Sequence, residues 1–109
     1  MNAQNIAIDV QRCLTETDRP GQAVKIQTAF YELNVVLEPS DIEPLAKARA
    51  ADWNQGSVRA GRSAGSAAFW SCDGQSMFIA VGHDDETWDF GVSLPVAAFD
   101  EIMARLAEA

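Results

Sequence analysis

The chain has 109 residues, of which 48% are hydrophobic, and it carries a formal net charge of −8. This length fits one domain that can bury a core without a metal ion or a disulfide. The N-terminus has no charged segment followed by an apolar one, and no apolar run is long enough to span a bilayer. We therefore expect a soluble, cytoplasmic protein without a membrane partner.

The negative charge is concentrated in the second half of the chain. Residues 63–109 contain eight acidic residues and one basic residue, Arg105, and so have a net charge of −7. Residues 1–62 contain eight acidic and seven basic residues, and so have a net charge of −1. A surface with this bias repels nucleic acid and attracts cationic proteins. The charge therefore predicts a protein partner and no nucleic-acid partner.

Candidate catalytic and metal-binding motifs are weak. Cys13 and Cys72 form no C-x-x-C pair, and His83 is the one histidine, so we predict two reduced thiols and no zinc site. Residues 56–63 match a phosphate loop except that Arg62 replaces the lysine, but they follow a helical pattern instead of a strand. Consecutive residues of the turn 83–86 cannot all converge on one ion. We predict no catalytic residue, no metal and no cofactor.

The first half of the chain has the apolar spacing of helices. Residues 6–17 and 26–37 repeat apolar side chains at intervals of three and four, although 35–37 also suits a strand, so residues 22–37 stay open between helix and strand. Ser40 and Glu43 form a capping box before a third predicted helix, about 41–54, which ends beside Trp53. Residues 54–66 are rich in Gly, Ser and Arg and are predicted to form a loop.

The second half of the chain alternates apolar and polar residues. This pattern predicts strands at about 67–72, 75–81 and 87–94, followed by a helix at about 95–108 with Pro95 in its first turn. Asp73-Gly74 predicts a two-residue hairpin turn, which pairs Trp70 with Met77. A four-residue loop at 83–86 then pairs Phe78 with Gly91. The predicted fold class is α+β, with N-terminal helices, a three-stranded antiparallel meander and a C-terminal helix.

The alternation gives the predicted meander two different faces. One face is apolar and is predicted to form the core: Ala68, Trp70, Cys72, Met77, Ile79, Val81, Trp88, Phe90 and Val92. The other face holds Phe69 and Phe78 among small and polar residues, with Asp89 beside them. An aromatic pair with an acidic rim is typical of a protein interface. The sequence leaves open whether the N-terminal helices cover this face or whether it is an exposed binding patch.

In its small size, acidity and low cysteine content, and in the segment 88–95 that leads into residues 99–106, the chain resembles immunity proteins of bacterial contact-dependent inhibition and type VI secretion toxins. The resemblance implies a cytoplasmic protein, not an enzyme, that binds one cognate, basic toxin domain. The residues predicted to bind the toxin are Phe69, Phe78, Asp84, Asp85, Glu86 and Asp89. An acidic secretion chaperone and an inhibitor that mimics nucleic acid are the alternatives, and a small-molecule enzyme is a weaker one. The sequence leaves the oligomeric state open.

Overall fold

A computed structural model describes residues 6–52, 54 and 56–108. Seven strands form one antiparallel sheet in which each strand lies beside its neighbours in sequence. The elements are β1 (Ala7–Leu14), β2 (Pro20–Gln27), β3 (Glu32–Leu37), α1 (Pro39–Ala46), a 3-10 turn (Ala48–Ala50), β4 (Val58–Ser63), β5 (Ser66–Cys72), β6 (Ser76–Gly82), β7 (Trp88–Pro95) and α2 (Val96–Glu108).

The predicted fold class is wrong, because residues 7–37 form three strands where N-terminal helices were predicted. β1 occupies most of the first predicted helix, and β2 and β3 occupy residues 22–37. An apolar interval of four residues keeps side chains on one face of a strand as well as of a helix. In β1, Ile8 faces the core while Asp9 is exposed, which is the alternation of a strand. The link from β1 to β2 is a tight turn in which Asp18 has a φ of 59°.

The third predicted helix is only partly present. α1 spans Pro39–Ala46, so it begins earlier and ends sooner than residues 41–54. Its first turn is closed by the carboxylate of Asp41, which accepts a hydrogen bond of 2.8 Å from the backbone N–H of Glu38, and not by Ser40 and Glu43. Trp53 lies outside the described residues. The predicted loop 54–66 contains β4.

In the second half of the chain, β5, β6, β7 and α2 lie close to their predicted positions, but the predicted strand register is wrong by two residues. Trp70 pairs with Ile79 instead of Met77, and Phe78 pairs with Ser93 instead of Gly91. In the β5–β6 hairpin the cause is a longer turn, in which the carboxylate of Asp73 accepts hydrogen bonds from the backbone N–H groups of Gln75 and Ser76. In the β6–β7 hairpin one residue of the shift comes from a five-residue loop at 83–87, and the other comes from a register shift between Val81 and Gly82. A shift of two residues leaves a side chain on its predicted face.

The core lies between the sheet and the two helices. Every strand and both helices contribute to it, and its largest buried side chains include Trp70 and Phe99, whose rings lie 6.0 Å apart. The indole N–H of Trp70 donates a hydrogen bond of 2.9 Å to the backbone oxygen of Ala60. The buried indole N–H therefore keeps a hydrogen-bond partner, so burying Trp70 leaves no polar group unpaired.

The sheet is strongly curled. Neighbouring strands lie about 4.8 Å apart, so a flat sheet would separate β3 from β7 by about 19 Å. However, Tyr31, next to β3, packs its ring 6.3 Å from that of Phe90 in β7. Helix α2 contacts both edge strands, β1 and β7. None of the helices in the described ranges is long and apolar enough to cross a membrane.

Candidate protein-binding surface

One face of the sheet is turned away from both helices, and we call its β5–β7 part the outer face. A small apolar cluster lies there, formed by Ala67, Phe69 and Ala80 with Phe78 packed against them. No residue of α1 or α2 belongs to this cluster. Among the described elements, therefore, no helix covers the face on which the sequence analysis placed the aromatic pair.

The two predicted aromatic residues are less exposed than a binding patch requires. Phe69 is 9% exposed, and Phe78 is half-buried. The exposed aromatic side chain on this face is Trp88, at 39%, whose ring centroid lies 5.4 Å from that of Phe78 with an angle of 72° between the ring planes. Trp88 therefore provides the aromatic surface that was predicted for Phe69 and Phe78.

The placement of Trp88 in the core was wrong, and a β-bulge explains why. Gly82 pairs with Trp88 while the preceding Val81 pairs with Phe90, so β7 has one extra residue at this point. The extra residue turns Trp88 onto the outer face. A Cβ atom at Gly82 would collide with the Cα of Trp88, so this bulge requires glycine. A glycine at the end of a strand was the signal that could have indicated the bulge.

Gly91 lets both rings lie against the backbone of β7. A Cβ atom at Gly91 would lie 2.7 Å from Cζ of Phe78 and 2.9 Å from Cζ3 of Trp88. The predicted register placed Phe78 directly opposite Gly91. The register differs, but the ring of Phe78 still reaches this glycine diagonally across the two strands.

The predicted acidic loop divides into structural and exposed carboxylates. Oδ1 of Asp84 accepts hydrogen bonds from the backbone N–H groups of Glu86 and Thr87, at 2.8 and 2.7 Å, and from the Thr87 hydroxyl. These bonds, the one from Glu86 first, lower the pKa of Asp84. Asp85 accepts a hydrogen bond of 3.1 Å from the hydroxyl of Ser57.

The exposed carboxylates are those of Glu86, which lies in the same loop, and Asp89, which is the second residue of β7. Within the described part of the chain, neither forms an ion pair. Of the four predicted acidic residues, Asp84 and Asp85 therefore hold the loop together. Glu86 and Asp89 are the ones that present free negative charge beside Trp88.

A groove of about 530 Å³ runs along the outer face, beside the linker that precedes β4. Its walls combine carboxylates, hydroxyls and aromatic rings: Asp52, Asn54, Ser71, Cys72, Asp73, Ser76, Phe78, Trp88 and Ser93. Neither Asp52 nor Asp73 was among the predicted site residues. Hydrogen bonds from the N–H groups of Ser76 and Gln75 lower the pKa of Asp73, so this carboxylate is ionised at neutral pH.

A second groove, of about 340 Å³, lies around Arg62, away from the outer aromatic pair. It mixes charges of both signs, because Arg62 lies 3.7 Å from Glu16 and the carboxylates of Glu38 and Asp41 also line it. Most of the segment 56–63, which matches a phosphate loop in sequence, forms the strand β4. Arg62 in this strand donates a hydrogen bond to the backbone oxygen of Gly65. This arrangement does not match a phosphate-binding loop, which joins a strand to a helix.

The comparisons with known proteins give no relative from which a function could be transferred. No protein-family model matches the chain, and no curated protein or solved structure has significant similarity to it. Within residues 6–52, 54 and 56–108, no group of three His, Cys, Asp or Glu residues could hold a metal ion together. The outer face itself is therefore the basis for assigning a function.

Proposed function

We propose that this protein binds and neutralises a cationic bacterial toxin domain, as immunity proteins do, and that the outer face is its binding surface. The observation that supports this proposal most is the exposed Trp88, which packs on Phe78, lines the groove and is flanked in sequence by the exposed residues Glu86 and Asp89. Tryptophan at the centre of an interface with a charged rim is a common arrangement of binding hot spots.

The two parts of this surface act on different steps of binding. Carboxylates at the rim raise the rate of encounter with a cationic partner, and salt screens this effect. The aromatic pair loses its contact with water only in the complex, so it slows dissociation. The net charge of −8 supports a cationic partner over an anionic one.

Affinity capture of the tagged protein from its native cells, at low and at high salt, identifies the partner. The captured domain is then expressed alone in a bacterial host and again together with this protein. We expect the domain to stop growth and co-expression to restore it, and we expect capture to weaken as salt increases.

The same experiment separates the proposal from its alternatives. A captured domain that does not stop growth, or growth that co-expression fails to restore, contradicts the immunity proposal. Displacement of the partner by DNA or RNA would instead indicate a mimic of nucleic acid. Binding to an unfolded, secreted polypeptide would indicate a secretion chaperone.

A further inference from the structure

We infer that the open edge of β7 accepts an extended segment of the toxin domain as an additional strand of the sheet. This segment carries basic side chains on one face and apolar side chains on the other. The inference rests on the proposed function, because it names the way in which the partner occupies the same surface. Three features of β7 support it: backbone groups without a partner, an edge that borders the outer face, and two sides of different chemistry.

Every second residue of β7 turns its backbone groups away from β6. The backbone N–H of Val96 donates a hydrogen bond of 2.8 Å to the oxygen of Gln75, and this bond sets the alternation along the ladder. In the observed register, the even-numbered residues from 90 to 94 then bond to β6, whereas Gly91 and Ser93 point their N–H and C=O groups to the open edge. Among the described residues, none supplies a backbone partner for these outward groups.

The part of this edge that can pair is short and has defined ends. At its start, the register shift between Val81 and Gly82 interrupts the ladder, and at its end Pro95 has no N–H group. Bulges and prolines limit pairing at the edges of sheets. The stretch between them, 90–94, therefore accepts about five residues of an extended segment.

The edge of β7 is continuous with the outer face. Trp88, which begins β7, is 39% exposed, and Ser93 near its end is also exposed. Both residues line the groove of the outer face. The other edge strand, β1, contains no aromatic residue. An added strand therefore contacts the proposed binding surface only when it pairs with β7.

The two faces of an added strand meet different surroundings. On the outer side they lie beside Trp88 and the groove, whose walls include the carboxylates of Asp52 and Asp73. On the other side they lie beside the core side of β7, where Val92 and Leu94 are buried. Opposite side chains of neighbouring strands lie about 4.5–5.5 Å apart. Basic residues therefore suit the outer side of the segment, and apolar residues suit its core side.

The charge of the chain favours a basic segment over a second copy of this protein. Each copy has a net charge of −8, and Glu86 and Asp89, near the start of β7, are exposed and form no ion pair in the described ranges. Pairing two such edges brings like charges together, whereas a basic segment neutralises them. A dimer in solution that Ser93→Pro dissociates would therefore contradict the inference.

The first test is an NMR titration of the full chain with two capped peptides of equal charge and composition. In one peptide lysine and valine alternate, and in the other all lysines precede all valines. We expect the alternating peptide to shift the amide signals of Gly91 and Ser93 and to slow their hydrogen exchange about tenfold or more. The block peptide should bind at least about fivefold more weakly. Equal affinity of the peptides, or unchanged signals at Gly91 and Ser93, would overturn the inference.

A pair of variants at Ser93 isolates the contribution of the backbone. Ser93→Pro removes the outward N–H but no hydrogen bond to β6, and Ser93→Ala removes the same hydroxyl while it keeps the N–H. We expect Ser93→Pro to bind the alternating peptide about tenfold more weakly than Ser93→Ala does. Equal binding by the two variants would show that no backbone pairing occurs. If Ser93→Pro does not fold, the exchange rates of Gly91 and Ser93 in the wild type decide between the two outcomes.

The failure of this inference can be distinguished from the failure of the proposed function. If Ser93→Pro binds the captured toxin domain as tightly as Ser93→Ala while Trp88→Ala does not bind it, strand addition is wrong and the outer face remains the binding surface. If the alternating peptide pairs with β7 but the protein neutralises no toxin, the proposed function alone is wrong.

Discussion

Trp88 and Phe78 lie edge to face on the outer side of the sheet, with ring centroids 5.4 Å apart and ring planes at 72°. The contact spans two strands, and Gly91 makes it possible because a Cβ atom there would come within 3 Å of both rings. The bulge at Gly82 turns Trp88 to this side. Gly82 and Gly91 thus determine where the exposed aromatic surface lies, because a side chain at either position would collide with it.

Truncating this aromatic surface should weaken binding to the toxin domain through the dissociation rate. We expect Trp88→Ala to weaken affinity by about 30-fold or more, because tryptophans at interface centres contribute about 2 kcal/mol or more. Surface plasmon resonance with the captured domain measures this change.

Phe90→Ala is the matched control for Trp88→Ala. Phe90 lies in the same strand with a similar exposure, 41% against 39%, but packs on Tyr31 on the other side of the sheet. Both truncations should lower the free energy of unfolding by about 1–2 kcal/mol. If Phe90→Ala weakens binding as much as Trp88→Ala, the outer face is not the binding surface.

Reversing the charge of Glu86 or Asp89 should lower the rate at which the toxin domain associates. Both side chains are exposed and have no ion pair in the described ranges, so Glu86→Lys and Asp89→Lys leave the fold intact. Each variant should lower the association rate severalfold and reduce its dependence on salt, with little change in dissociation. Stopped-flow mixing over a range of salt concentrations measures both quantities.

Glu43→Lys, on α1, changes the net charge equally and is the control for the rim variants. We expect it to slow association much less, because screening limits the reach of a charge to about 8–10 Å. Equal effects of all three reversals would show that the net charge, and not the rim of the outer face, steers the partner.

The C-terminal half of the fold could be predicted because turns and alternation are local signals. β5, β6, β7 and α2 lie where the sequence placed them, and Trp70, Met77 and Ile79 face the core as predicted. The N-terminal half could not be predicted from spacing alone, because Ile6 and Val10 would share a face in a helix or in a strand. The choice of a strand depends on the curled sheet, which is formed by contacts between residues distant in sequence, such as Tyr31 and Phe90.

The candidate site could be predicted only in outline. The face that carries Phe69 and Phe78 was identified from alternation, and an even error in register left it unchanged. The position of Trp88 depends on one bulge, which shifts the alternation by one residue and so reverses the face. Asp52 and Ser71 meet in the groove through the packing of a linker against the sheet, and no local pattern carries that information.

Gly61 is a further position where the chain depends on glycine. It has a φ of 80° in the irregular part of β4, and a Cβ atom there would lie 2.7 Å from side-chain atoms of Leu37 and Val35. Gly61→Ala should therefore cost about 1–2 kcal/mol for the left-handed backbone and about 1–3 kcal/mol more for the collision. Urea denaturation measures the free energy of unfolding.

Gly65→Ala separates these two costs. Gly65 has a φ of 85°, nearly that of Gly61, but an added Cβ atom would meet nothing within 4 Å. This variant should show only the backbone cost, about 1–2 kcal/mol. Equal destabilisation in the two variants would mean that the β4 bulge relaxes around an added methyl group.

The stability of the protein should decrease in acid through Asp73 and Asp84. Backbone N–H groups lower the pKa of both carboxyls from the ordinary value of 3.8, chiefly those of Ser76 for Asp73 and of Glu86 for Asp84. A carboxyl whose pKa is lower in the folded state stabilises the fold above its unfolded pKa, and this stabilisation is lost as the pH falls through the folded pKa. The loss is therefore expected below about pH 4.

Asp73→Asn with Asp84→Asn keeps both Oδ1 acceptors and removes both titrations, so its stability should fall less in acid. We expect the difference in free energy of unfolding between wild type and this variant to shrink as the pH falls from about 6 to about 3. Glu43→Gln with Glu108→Gln removes two carboxyls that accept no hydrogen bond from the described residues, and it should follow the wild type. A constant difference for Asp73→Asn with Asp84→Asn across this range would show that hydrogen bonds to the neutral side chains, and not the carboxylate charges, stabilise the two turns.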